Sequence, residues 1–192
     1  MRKYILIKVL WAFLLSLSLS LFIPSYSRDR VSTANTGLIK THKKLLKDYE
    51  RVPHISSEEL MTMESEDYIL FDVREKDEFM ISHMKDAIWV DPSIDASSFM
   101  EKFRNEIGGK TLILYCSVGV RSTRLAEKLL ASNTGMDVTQ IYNLENGIFG
   151  WHNENRPIFQ SQDSTDFIHP YNFRWGRMVN RKNLQRYETN GE

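Results

Sequence analysis

The hydrophobic pattern of this chain alternates between short apolar runs and longer segments whose apolar residues recur at helical spacing. The apolar runs predict buried strands at residues 68–73, 87–90, 111–115 and 138–142. The intervening segments predict helices at residues 75–83, 97–107 and 122–130. Because strands alternate with helices, we expect an α/β domain with a mostly parallel sheet of about five strands, flanked by helices on both faces.

The only cysteine, Cys116, lies between the predicted strand at 111–115 and the predicted helix at 122–130. The loop that begins there reads CSVGVR and ends at Arg121. The first amides of a helix have no partners inside the helix and, with the positive end of the helix dipole, stabilise an anion. We therefore expect a Cys116 thiol with a lowered pKa that is nucleophilic near neutral pH. A small buried apolar residue is the alternative interpretation, but Gly119 gives the loop freedom to point its amides at one atom.

Three motifs around this loop resemble those of a single rhodanese domain. The loop is C-x-x-G-x-R followed by Ser122, Asp72-Val73-Arg74 precedes it, and Leu144-x-x-Gly147-x-x-x-Trp151 follows it in matching order and spacing. The resemblance covers about residues 54–158, within a rhodanese-like domain predicted at 54–160. It implies a sulfurtransferase in which Cys116 takes a sulfane sulfur from thiosulfate or a small-thiol persulfide. The resulting persulfide would pass its outer sulfur to a thiol or to cyanide, and no cofactor is expected.

The length of the loop favours sulfur transfer over phosphoryl chemistry. Related phosphatases and arsenate reductases use a longer C-x-x-x-x-x-R loop that rings a tetrahedral oxyanion, whereas Arg121 arrives one residue earlier. Two further alternatives stay open. A binding module with a rhodanese fold would not need the intact loop, and a thiol-redox carrier would ordinarily use a second, resolving cysteine that this chain lacks.

We predict Cys116 as the nucleophile and Arg121 as the charged group that stabilises its anion. Arg121 and the backbone are expected to do most of the anion binding, because the rest of the loop carries no charge. The predicted substrate-binding loop comprises Ser117, Val118, Gly119, Val120, Arg121 and Ser122.

Three other charged residues are candidates for a supporting role. Asp72 and Arg74 fall at the carboxyl end of a predicted strand, the edge at which open α/β sheets bind ligands. A structural salt bridge between them is the competing interpretation. Arg124 follows Arg121 by about one helical turn and could add to the positive field, although such a pair more often forms a solvated helix face.

Two turns depart from the pattern of the resembled family. The family's Gly-His-Ile-Pro-Gly-Ala turn reads SHMKDA at residues 82–87, so both glycines and the proline are replaced. Asp86 tolerates a left-handed backbone and can preserve that turn. The family's last Gly-Gly pair is Asn146-Gly147 here, and asparagine is the next-best residue for a positive φ. His83 belongs to the first turn, which argues against a general-base role for it.

The N-terminal 27 residues have the pattern of a secretory signal peptide. Three basic residues precede an apolar, serine-spaced run, and Ser25 and Ser27 satisfy the small-residue preference for cleavage before Arg28. An uncleaved membrane anchor at residues 5–23 is the alternative, and in either case we expect a periplasmic or otherwise extracytoplasmic domain. Basic and acidic residues number 25 each, so loss of a segment with three basic and no acidic residues lowers the net charge from zero to about −3. Neither value favours nucleic acid as a partner.

The single cysteine excludes a disulfide bond within this chain. In an oxidising compartment the thiol must stay free, carry sulfur or form a mixed disulfide with another protein. We therefore expect, besides a small sulfur donor and a thiol acceptor, a protein partner that delivers sulfur or reduces the thiol.

Two segments flank the predicted domain. Residues 28–53 predict a linker followed by an amphipathic helix, whose lysine-rich side could contact a membrane surface or simply face water. Residues 161–192 form a tail in which aromatics and arginines interleave, which predicts a docked terminal helix and leaves an anionic partner as the alternative. The histidines are scattered without metal-ligand spacing, so no metal site is predicted.

Overall fold

The computed structural model describes residues 35–132 and 138–188, and the predicted signal or anchor segment lies outside them. The central sheet consists of β1 (His54–Ile55), β2 (Tyr68–Asp72), β3 (Ile88–Trp89), β4 (Lys110–Tyr115) and β5 (Val138–Leu144). All its neighbouring strands are parallel, and their spatial order is β1-β5-β4-β2-β3. This confirms the predicted α/β class with a mostly parallel sheet.

Helices cover both faces of the sheet, as the alternating pattern predicts. They are α1 (Thr36–Asp48), α2 (Ser57–Leu60), α3 (Lys76–Ile81), α4 (Ala96–Ile107), α5 (Val120–Ala131) and α6 (Gly147–Asn153). Leu112 and Leu114 of β4 pack into one hydrophobic cluster with α4 and α5, whereas Ile113 and Tyr115 pack into the other with α1, α2 and α6. Successive side chains of a strand point to opposite faces, so the central strand contributes to both clusters.

The amphipathic segment before the sheet forms α1. Asn35 caps it, because its Oδ1 accepts a hydrogen bond from the Gly37 amide at 3.0 Å. Leu38 and Leu45 are the buried residues of this helix, which lies against α5. Among the described residues, no helix is both long and apolar enough to cross a membrane.

The tail does not form the docked helix that its composition predicts, and that prediction is wrong. The tail begins with β7 (Asp163–Thr165), which pairs antiparallel with β6 (Ile158–Gln160) at the end of the predicted domain. One helical turn, α7 (Phe173–Gly176), and a 3₁₀ turn (Lys182–Leu184) follow. Pro170 lacks an amide donor and Tyr171 has φ +63°, so a continuous helix cannot pass this point.

The tail is nevertheless fixed to the domain. Asn153 at the end of α6 donates to the Met178 carbonyl at 2.8 Å and accepts from the Asn180 amide at 2.7 Å. Ile168 and Val179 are fully buried. The aromatic and basic tail therefore belongs to the same folded unit as the sheet.

Candidate active site

Cys116 lies immediately after β4, at the carboxyl edge of the sheet, and α5 begins four residues later. Gly119 is the residue before the helix and adopts φ +94°, a left-handed conformation that favours glycine. The loop curls around the thiol, which is 1% exposed. Strand, loop and helix thus stand in the order that the sequence predicts.

The loop favours the anionic form of Cys116. Burial raises the pKa of the Cys116 thiol, but the charge of Arg121 and hydrogen bonds from the Ser122 and Val118 amides lower it by more, so the net pKa falls below its ordinary value. The candidate nucleophile therefore combines restricted access with a stabilised thiolate.

The start of α6 holds the backbone of this loop. The Ile148 amide donates to the Cys116 carbonyl at 2.9 Å, and the Phe149 amide donates to the Ser117 carbonyl at 3.0 Å. Gly147 has φ +55°, and a side chain there would overlap the Cys116 carbonyl oxygen. Asn146 precedes it at φ +59°, which agrees with asparagine as the substitute for the family's first glycine.

Arg121 is held by carboxylates. Its Nη1 lies 2.8 Å from Glu78 Oε2 and 3.5 Å from Glu75 Oε1, and its Nη2 donates to Glu78 Oε1 at 3.2 Å and to Ser117 Oγ at 2.9 Å. Glu78 is 1% exposed and also accepts from Ser117 Oγ at 2.6 Å. Burial raises the pKa of Glu78, but Arg121, the charge of Arg74 and the Ser117 hydroxyl bring it below its ordinary value.

Asp72 and Arg74 form a fully buried ion pair. Arg74 Nε donates to Asp72 Oδ1 at 2.9 Å and Nη2 to Oδ2 at 2.6 Å, while Nη2 also donates to the Ser82 carbonyl. This supports the structural interpretation of the pair. The pair affects the site indirectly, because the charge of Arg74 helps to lower the pKa of Glu78.

Arg124 is exposed, and its Nε lies 3.4 Å from Tyr49 Oη, just beyond the end of α1. This contact supports the solvated-face interpretation. His83 stacks on the Phe79 ring at a centroid distance of 4.2 Å, and its Nδ1 lies 3.1 Å from the Phe79 carbonyl. Asp86 has φ +57°, so the turn survives without its glycine, as expected.

Sequence reasoning missed three residues at the site. Glu78 forms the ion pair with Arg121, and Asn143 accepts a hydrogen bond from Ser122 Oγ at 2.6 Å behind the loop. Tyr171 of the tail lies over Arg121, 4.8 Å from its guanidinium carbon to the ring centroid. Glu78 and Asn143 lie within segments already singled out, but only tertiary packing brings Tyr171 to the loop. In the described parts of the chain, no three metal-ligating side chains come together.

These features define a parallel α/β domain with a buried cysteine of lowered pKa at the carboxyl edge of its sheet. The model of the rhodanese-like domain family matches residues 56–154, and the chain belongs to that family. No curated protein gives a significant match.

The chain is also similar to solved structures, one of which superposes with a TM-score above 0.5. Thiosulfate sulfurtransferase from Pseudomonas aeruginosa superposes with a TM-score of 0.51 at 18% identity, over 68% of this chain but only 24% of that protein. A rhodanese-related protein from Thermoplasma volcanium gives 0.44 at 23% identity, covering 56% of this chain and 98% of its own. A rhodanese-like domain protein from Staphylococcus aureus gives 0.42 at 24% identity, covering 52% and 91%. The similarity to the Pseudomonas aeruginosa structure concerns the fold alone, because a fold does not determine an activity.

Proposed function

We propose that the protein is a rhodanese-type sulfurtransferase with Cys116 as its sulfur carrier. The observation that carries this proposal is the buried thiol whose pKa is lowered by Arg121 and by loop amides. The short loop suits a single sulfur atom better than a tetrahedral oxyanion, and an added persulfide anion would be stabilised by the same groups.

The reaction has two displacements. The Cys116 thiolate attacks the outer sulfur of the donor, and the sulfur–sulfur bond of the donor breaks. Sulfite leaves with the bonding electrons when the donor is thiosulfate, and a thiolate leaves when the donor is an organic persulfide. An acceptor thiolate or cyanide then attacks the outer sulfur of the Cys116 persulfide and releases the Cys116 thiolate, so no net oxidation of the protein occurs.

The test is the intact mass of the full chain after incubation with thiosulfate or with glutathione persulfide. We expect a gain of one sulfur atom that cyanide removes and that Cys116→Ser lacks. Arg124→Gln is the matched control, since Arg124 is exposed and contacts Tyr49. Absence of the adduct with both donors would refute sulfur transfer and would favour a binding module. A mixed disulfide in place of a persulfide would favour a redox carrier.

We also propose that the domain acts outside the cytoplasm, on the basis of the N-terminal sequence pattern. Expression in a bacterial host followed by fractionation and N-terminal sequencing tests this. A soluble exported chain that starts at Arg28 supports cleavage of a signal peptide, whereas an uncleaved chain in the membrane fraction supports the anchor. A chain that stays in the cytosol contradicts both.

A further inference from the structure

The tail places an aromatic ring on the candidate active site. The Tyr171 ring lies over the Arg121 guanidinium with 4.8 Å between the ring centroid and the guanidinium carbon. Tyr171 lies outside the family match at residues 56–154, so this contact is added to the domain by the tail. The arginine that it covers is the one whose charge lowers the pKa of Cys116.

Tyr171 is held over Arg121 in an unfavourable backbone conformation. Its φ is +63°, although the side chain is 42% exposed and gains little from burial. Its amide donates to Nδ1 of the largely buried His169 at 3.0 Å, and the Asn172 amide donates to the Pro170 carbonyl at 2.8 Å. The tail therefore fixes this ring at a site where hydrophobic packing alone gives little reason for it.

Other groups already occupy the edges of the same guanidinium. Arg121 Nη2 donates hydrogen bonds to Glu78 and Ser117, and Nη1 forms ion pairs with Glu78 and Glu75. With carboxylates at its edges and Tyr171 over one face, the Arg121 guanidinium leaves few directions from which the oxygens of an incoming oxyanion can approach. Glu75 is also more than half exposed, so it adds repulsion against a dianion at the entrance.

We propose that Tyr171 is a specificity-determining residue that shields Arg121, so that the site takes sulfur from an organic persulfide in preference to thiosulfate. This inference rests on the proposed sulfurtransferase function. The chemical reason is that thiosulfate needs a cation to bind its sulfonate oxygens. The outer sulfur of a persulfide needs only the amide ring, and the organic part of the donor can contact the aromatic ring.

The experiment measures two single-turnover rates of Cys116 persulfidation in the full chain, one with thiosulfate and one with glutathione persulfide. The ratio of the two rates is taken within one preparation of each variant, so a partly unfolded fraction cancels. We expect the wild type to favour the persulfide. Tyr171→Ala should raise the thiosulfate-to-persulfide ratio about tenfold, because it uncovers the guanidinium face to the thiosulfate charge and removes a contact on the scale of one cation–π interaction.

Two variants serve as controls. Tyr171→Phe retains the ring over Arg121 and should keep the wild-type ratio. Phe173→Ala removes a ring that is 74% exposed and lies against Arg177 in the same tail, so it should also leave the ratio unchanged. These controls separate shielding from general disturbance of the tail.

The outcomes are distinguishable. If both donors load Cys116 and Tyr171→Ala leaves the ratio within twofold of the wild type, the shielding inference is overturned and sulfur transfer stands. A wild type that prefers thiosulfate would overturn it equally. If neither donor loads Cys116 in the wild type, the proposed function fails and the inference fails with it.

Discussion

Replacing Gly147 by alanine should distort the active-site loop from behind. The residue has φ +55°, which costs an alanine about 1–2 kcal/mol. The new Cβ would overlap the Cys116 carbonyl oxygen and would lie 2.9 Å from the Ser117 carbonyl carbon. Both are backbone atoms that cannot rotate away, and forced overpacking of this kind costs about 1–3 kcal/mol more. We therefore expect a loss of about 2–5 kcal/mol in the free energy of unfolding.

Urea unfolding followed by tryptophan fluorescence measures this loss. Two other glycines, which are adjacent to each other, separate the cost of the positive φ from the cost of the steric overlap. A Cβ at Gly108 or at Gly109 meets nothing within 4 Å, but only Gly109 has a positive φ, of +69°. Gly108→Ala should stay within about 0.5 kcal/mol of the wild type, and Gly109→Ala should lose about 1–2 kcal/mol. Alkylation of Cys116 by iodoacetamide should slow only in Gly147→Ala. The reasoning is refuted if Gly147→Ala is no less stable than Gly109→Ala and its thiol reacts at the wild-type rate.

Three further outcomes are expected. In a Glu78→Gln background, which leaves no unpaired buried carboxylate, adding Arg121→Gln should raise the pKa of Cys116 by about one unit or more, measured from the pH dependence of iodoacetamide alkylation. Asp72→Asn should lower the free energy of unfolding in urea by about 3–5 kcal/mol, because it leaves a fully buried arginine without its partner charge. Burial and a neighbouring histidine lower the pKa of His54 to about 4, so the unfolded state binds its proton first and stability should fall as pH drops from 6.5 towards 4. The variant His54→Gln should flatten that part of the curve, and an unchanged slope would contradict the assignment.

Four of the five strands could be predicted because each is a short apolar run, whereas the two-residue strand β1 (His54–Ile55) is too short to give such a pattern. β4 is buried on both faces, so it reads as a continuous apolar run, and its residues divide alternately between the two clusters. The loop could be predicted because Cys116, Gly119 and Arg121 lie within six residues of one another and their roles depend on one local turn. Local periodicity and turn chemistry carry this information without knowledge of the packing.

The partners of Arg121 could not be predicted in the same way. Glu78 lies in a helix with several charged residues, and nothing local distinguishes it from solvated neighbours. Its burial follows from the way α3 packs against the loop 39 residues later in the chain. The path of the tail is a similar case, because its aromatics and arginines suggest a docked helix, whereas Pro170 and Tyr171 direct it across the site.

The charge arrangement explains why backbone geometry matters more at this site than the single arginine suggests. Asp72 offsets Arg74, and Glu78 offsets Arg121, so the four side chains together carry no net charge. A thiolate at Cys116 therefore cannot depend on excess positive side-chain charge, and its stabilisation must come largely from the short-range guanidinium contact and the hydrogen bonds of the loop. Hydrogen bonds of that kind are lost with small displacements of the donor. The α6 amides that fix the loop carbonyls are consequently part of the means by which the protein keeps its thiol anionic.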